Sequence, residues 1–152
     1  MKLTCEMNTL HWHIIDAESF PIVSESIPNL SKAGAYSPNA IYSPDMVKDV
    51  VSYAKYRGVR VVAEFDVPGH SYSWGKSDAN LVVNCPAYSH NINNIPLNPT
   101  LNNTYEVLTK FFGDMAPLFP DRYMHTGGDE VVFGCFTNNP QVSAWMKQMG
   151  FT

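Results

Sequence analysis

Two carboxylates stand side by side at Asp129-Glu130, directly after Gly127-Gly128. Neighbours on a regular strand face opposite ways, but two glycines let the backbone turn sharply and bring both acids to one pocket. Like charges held close oppose double ionisation, so one carboxylate can keep a proton and give it to a leaving group. A solvated pair, or a cap on the next helix, is the alternative use of the same dipeptide. Asp16 and His70 offer a carboxylate–imidazole contact that would tune such an acid, provided their strands are neighbours about 4.8 Å apart. A helix cap and a loop hydrogen bond are their ordinary uses. His11 and His13 alternate on one strand face and could hold a divalent metal with later carboxylates. Trp12 and Ile14-Ile15 instead place that pair in the strand body, where histidines hydrogen-bond structurally. Trp74 could stack on a sugar face or pack against its own loop.

These groups need elements to position them. Thr9 to Asp16 is aromatic and β-branched and reads as a strand ending at the aspartate; Val59 to Asp66 reads as a second, broken by Pro68-Gly69. Between them a loop passes Pro21, Pro28, Gly34 and Pro38. A helix then opens with Ser43-Pro44-Asp45, runs through Val47, Val50, Val51 and Ala54, and stops at Gly58. The stretch from Gly69 to Pro99 has no periodicity, as expected of a functional or stapled loop. Helical spacing returns from Asn102 to Met115, a short third strand is expected at Tyr123-Met124-His125, and a last helix from Pro140 to Met149. This alternation implies parallel strands with right-handed crossovers. All three strands finish in polar groups, as at a barrel mouth, and no GxGxxG follows the first. The expected fold is α/β, a partial (β/α)8 TIM barrel of about three βα units. Residues 1–152 would be part of one catalytic barrel domain, incomplete at both ends, since such a barrel needs roughly 250 residues.

Ten Lys plus Arg against fourteen Asp plus Glu, with no basic run, argue against a nucleic-acid partner. No apolar run approaches the roughly 18 residues of a membrane span. The amino terminus turns polar at once, so a secreted parent would carry its signal outside this sequence. Cys5, Cys85 and Cys135 show no CxxC spacing, and one disulfide with one odd thiol is the simplest count. Asn29-Leu30-Ser31 and Asn102-Asn103-Thr104 are glycosylation sequons, whereas Asn98-Pro99-Thr100 is blocked by proline.

The sequence resembles the glycoside hydrolase family 20 β-N-acetylhexosaminidases of the eukaryotic lysosomal and secreted kind. The motifs are Leu10-His11-Trp12-His13-Ile14-Ile15-Asp16 with Ser19-Phe20-Pro21, Arg57 to His70 with Ser73-Trp74-Gly75, Asn98 to Tyr105, and His125-Thr126-Gly127-Gly128-Asp129-Glu130-Val131. The resemblance implies hydrolysis of terminal non-reducing β-linked N-acetylhexosamine by a substrate-assisted retaining route, an exception to the two-carboxylate scheme. In it Glu130 is the general acid/base, Asp129 orients the acetamido group and stabilises an oxazolinium, and Asp16 and His70 relay toward Glu130. It also implies a Cys85–Cys135 disulfide, a glycan on Asn102, a lysosomal or secreted parent compatible with a dimer, and neither cofactor nor metal. The histidine pair then becomes structural.

Family members often carry a second acid after the position of Asp16, where this chain has Ala17. By the same resemblance, the substrate-gripping arginine lies upstream of Met1, and the walls of the acetamido pocket lie after Thr152. Two alternatives stay open at this point: a truncated, non-catalytic product that binds glycans or associates with a relative, and a metal-dependent barrel hydrolase using His11 and His13. An unclosed barrel exposes strand edges and an apolar inner face. The isolated chain is therefore expected to aggregate or to remain molten; a sharp, cooperative melt by a monomer in calorimetry would contradict this.

Overall fold

A computed structural model of the protein describes residues 7–151. Cys5, the odd thiol of the sequence, lies outside them. Strand β1 spans Thr9–Ile15 and β2 spans Arg60–Phe65. They pair in parallel, from Thr9 opposite Arg60 to Ile15 opposite Phe65, with an irregularity between His13 and Ile15. Helix α1 is Asn29–Gly34 and α2, the crossover between the strands, is Pro44–Tyr56. Ser43 accepts the Met46 N–H, Pro44 occupies the first turn, and Val47, Val51 and Ala54 form the buried stripe of α2. Helix α3 (Tyr72–Gly75) follows β2, then come three 3-10 turns, α4 (Asn102–Met115), α5 (Phe133–Thr137) and α6 (Pro140–Gln148). No helix among the described residues is long and apolar enough to cross a membrane.

The expected third strand is corrected to a single bridge. His125 pairs in parallel with Glu64, donating its N–H to Ala63 O at 2.9 Å and accepting from Phe65 N at 3.0 Å. Gly127 turns into the left-handed region at φ 63°, and the last of this pairing is Val67 N to Thr126 O at 3.0 Å. The segment expected as a plain loop also holds α1, and the stretch after the acidic pair holds α5.

Beneath the sheet ends lies an aromatic core. Phe111 of α4 meets Phe65 of β2 edge to face at 5.1 Å, and Phe20 and Trp74 at 5.4 and 5.1 Å. Trp74 is only 1% exposed, so its sugar-stacking use is closed and it serves the core. Cys85 and Cys135 form a disulfide across a sequence separation of 50. It joins the irregular segment after β2 to α5, inside a small apolar cluster with Ile95. Closing a loop of this length removes chain entropy from the unfolded state worth roughly 4 kcal/mol on the simple loop model. In the full-length protein carrying this chain, reduction, or Cys85→Ser, is expected to lower the denaturant midpoint of the domain that holds the disulfide; an unmoved midpoint would show that the staple adds nothing.

Candidate active site

The level ends of β1 and β2 deliver Asp16 and Asp66 side by side, one residue past each strand. Four residues beyond Asp66 the chain turns at His70, whose φ of 52° lies in the left-handed region. This turn folds the imidazole back between two acids. His70 Nδ1 lies 3.0 Å from Asp16 Oδ1, and Nε2 lies 3.2 Å from Glu130 Oε2. The His70 side chain is 13% exposed, against 75% for Glu130, so this chain of contacts is anchored inside and opens outward at the glutamate. Ser73 holds the Asp16 backbone by donating its hydroxyl to Asp16 O at 2.6 Å.

Glu130 also has a left-handed φ, 50°, an unusual state for a residue with a side chain and one that surrounding structure must hold. The holding group is Asp66. Buried at 2% exposure, its Oδ1 accepts the Gly128 N–H at 2.9 Å, and a Cβ on Gly127 would be driven into its carboxylate. From the other side, the Gly127 N–H is donated to His125 Nδ1 at 2.9 Å. Sequence reasoning placed Asp66 at a strand end without giving it a task; its position just ahead of Val67-Pro68-Gly69-His70 was the available signal.

Burial pushes the Asp66 carboxyl above its ordinary value, opposed by the Gly128 N–H and the His70 charge, while Asp129 pushes in the same direction as burial. For His70, burial disfavours the charged ring, but the hydrogen bond and charge of Asp16, with Asp66 and Glu130 behind them, outweigh it and raise the pKa. An imidazole so placed can keep Nδ1–H on Asp16 and use Nε2 to receive or return a proton at Glu130.

Asp129 is exposed beside Glu130, and its carboxylate makes no hydrogen bond among the described residues. His11 and His13 do not converge on one metal position: His11 meets Glu64 and His125, while His13 approaches Glu64 and Asp66. A cleft of about 560 Å³ runs along β1 past Trp12, His13, Tyr36 and Asn39 and, of Asp16, His70 and Glu130, is lined only by Asp16. Asn29 and Asn102 open α1 and α4 and are exposed.

Residues 3–152 match the family described as glycosyl hydrolase family 20, catalytic domain. The chain is 48% identical over 147 residues to beta-hexosaminidase subunit A1 of Dictyostelium discoideum, covering 97% of this chain and 27% of that protein. Identity to human beta-hexosaminidase subunit beta is 46% over 147 residues, with 96% and 26% covered. Among solved structures, Flavobacterium johnsoniae chitobiase superposes with a TM-score of 0.83 at 28% identity, covering 97% of this chain and 23% of that one. A Vibrio harveyi exo beta-N-acetylglucosaminidase in complex with N-acetylglucosamine gives 0.80 at 31% identity, covering 95% and 26%. The chain thus spans about a quarter of the length of these curated relatives.

The raised His70 pKa sets a pH dependence. A folded value above the ordinary 6.5 means that the imidazole–carboxylate contact contributes fully below pH 6.5 and is lost as pH rises through the folded value. In the full-length protein carrying this chain, the difference in melting temperature between wild type and Asp16→Asn should therefore be largest on the acid side and shrink with rising pH. A difference independent of pH would contradict a charged His70–Asp16 contact.

Proposed function

The chain belongs to glycosyl hydrolase family 20, and from that membership we propose that it carries the catalytic groups of a hydrolase removing terminal non-reducing β-linked N-acetylhexosamine. The observation that carries this reading is His70 standing between Asp16 and Glu130, at 3.0 and 3.2 Å, with Asp129 next along the chain. In the proposed reaction the acetamido carbonyl oxygen of the substrate attacks its own anomeric carbon. Asp129 orients the acetamido N–H and balances the positive oxazolinium as it forms. Glu130 gives its proton to the departing glycosidic oxygen, then takes one from the water that opens the oxazolinium. His70, held by Asp16, follows the charge on Glu130 through both halves: once Glu130 is ionised, an Nε2–H facing its carboxylate stabilises it.

On this reading residues 1–152 form part of one (β/α)8 catalytic domain. The Cys85–Cys135 disulfide and the exposed sequons at Asn29 and Asn102 support a lysosomal or secreted protein. The names of the curated relatives, which are subunits, support assembly of the parent with a second chain. The glycan is the only other partner this chemistry needs.

In the full-length protein carrying this chain, Glu130→Gln is expected to lower kcat on an aryl N-acetyl-β-glucosaminide by about 10²- to 10⁴-fold, the range for loss of a general acid. Asp129→Asn should impair the same substrate, and an aryl β-glucoside without the acetamido group should not be cleaved. Equal turnover of the glucoside, or an active Glu130→Gln protein, would overturn the mechanism.

A further inference from the structure

Glu64 is a buried carboxylate, 6% exposed, that the hydrolytic reading does not use. Imidazoles from the segments on either side of β2 converge on it. His11 Nε2, on β1, contacts Oε2, and His125 Nδ1 stands 3.1 Å from Oε1. Gly127 N–H is donated to that same His125 Nδ1 at 2.9 Å, which makes it the unprotonated ring nitrogen. That nitrogen has one lone pair, held by Gly127, and a cation placed between it and the Glu64 carboxylate takes the lone pair only by displacing this N–H. The three ligand atoms lie within 4.8 Å of one another. Two neutral imidazoles and one carboxylate are the donor set of a borderline divalent ion such as Zn²⁺, with a fourth position left for water.

We propose that His11, Glu64 and His125 bind a divalent transition-metal ion of the Zn²⁺ kind, in competition with the hydrogen bond from Gly127 N–H to His125 Nδ1. The ion takes no part in hydrolysis. Its coordination uses the lone pair that otherwise holds Gly127, so the turn bearing Asp129 and Glu130 keeps the Asp66–Gly128 bond and loses the other. Binding is therefore inhibitory, a consequence that rests on the hydrolase reading, whereas the site itself does not. The rival set of His13, Glu64 and Asp66 supplies one imidazole rather than two.

The test uses the full protein carrying this chain, stripped with a chelator and titrated with Zn²⁺ by calorimetry and with Co²⁺ by visible absorption. One ion per chain is expected at this site, with affinity lowered at least about ten-fold by His11→Asn and by His125→Asn and unchanged by His13→Asn. Near-UV circular dichroism checks that the core of His11→Asn is retained should His125→Asn fail to fold. Absence of stoichiometric binding, binding that survives His11→Asn, or loss only in His13→Asn would each overturn the site. Zn²⁺ should slow hydrolysis by wild type and not by His11→Asn; binding without slowing would overturn the competition with Gly127. Failure of the metal-free protein to hydrolyse anything would count against the hydrolase reading alone, since the titration needs no turnover.

Discussion

The level ending of two parallel strands is the constraint on which the site rests. Because Ile15 stands opposite Phe65, the residues just beyond them emerge at one height, and a side chain from each loop can meet without either loop reaching far. Were the pairing to slip by one residue, every side chain of β1 would change face, and Asp16 would leave His70. The register is in turn secured from below, where Ile15 and Phe65 are both buried and Phe65 packs on the aromatic ring of Phe111. The packing beneath the strand ends therefore decides the chemistry above them.

Above that base, two residues with side chains occupy backbone space that usually belongs to glycine: His70 and Glu130. Each costs conformational energy, and each is held by contacts from a different part of the chain. His70 is bracketed by the Ser71 N–H bonded to Ile95 O at 3.0 Å and by its own bond to Asp16. Glu130 follows a turn held by Asp66 and His125. One buried carboxylate, Asp66, thus acts twice, as the anchor of the glycine turn and as a negative charge favouring protonated His70. Proton placement in this site is a property of the network more than of any single acid.

Much of this architecture was readable along the chain, for local reasons. Val59 to Asp66 declares a strand by its β-branched run, and Ser43-Pro44 declares a helix start by chemistry contained within one turn. The acidic pair after two glycines, and a histidine after a strand-ending acid, likewise carried their meaning in short spacings. What failed locally was decided at long range. Pro28 and Gly34 read as breakers, yet they flank and close a short helix whose Leu30 is drawn into the core. Tyr123 to His125 has strand composition, but the glycine turn that follows limits its pairing to one bridge. Asp66 as the anchor of Gly128 was invisible for the same reason, since the partners are 62 residues apart. The convergence of His11 and His125 on Glu64 likewise follows only from the order of the segments across the sheet.

Gly127 carries a consequence at the level of the gene. Every single-base change in a glycine codon that keeps the reading frame open and alters the residue installs a side chain with a Cβ. At this position that atom has no room beside Asp66 and the backbone angle disfavours it as well. No conservative missense step therefore exists here, and the codon is one at which drift is closed in every direction except silence.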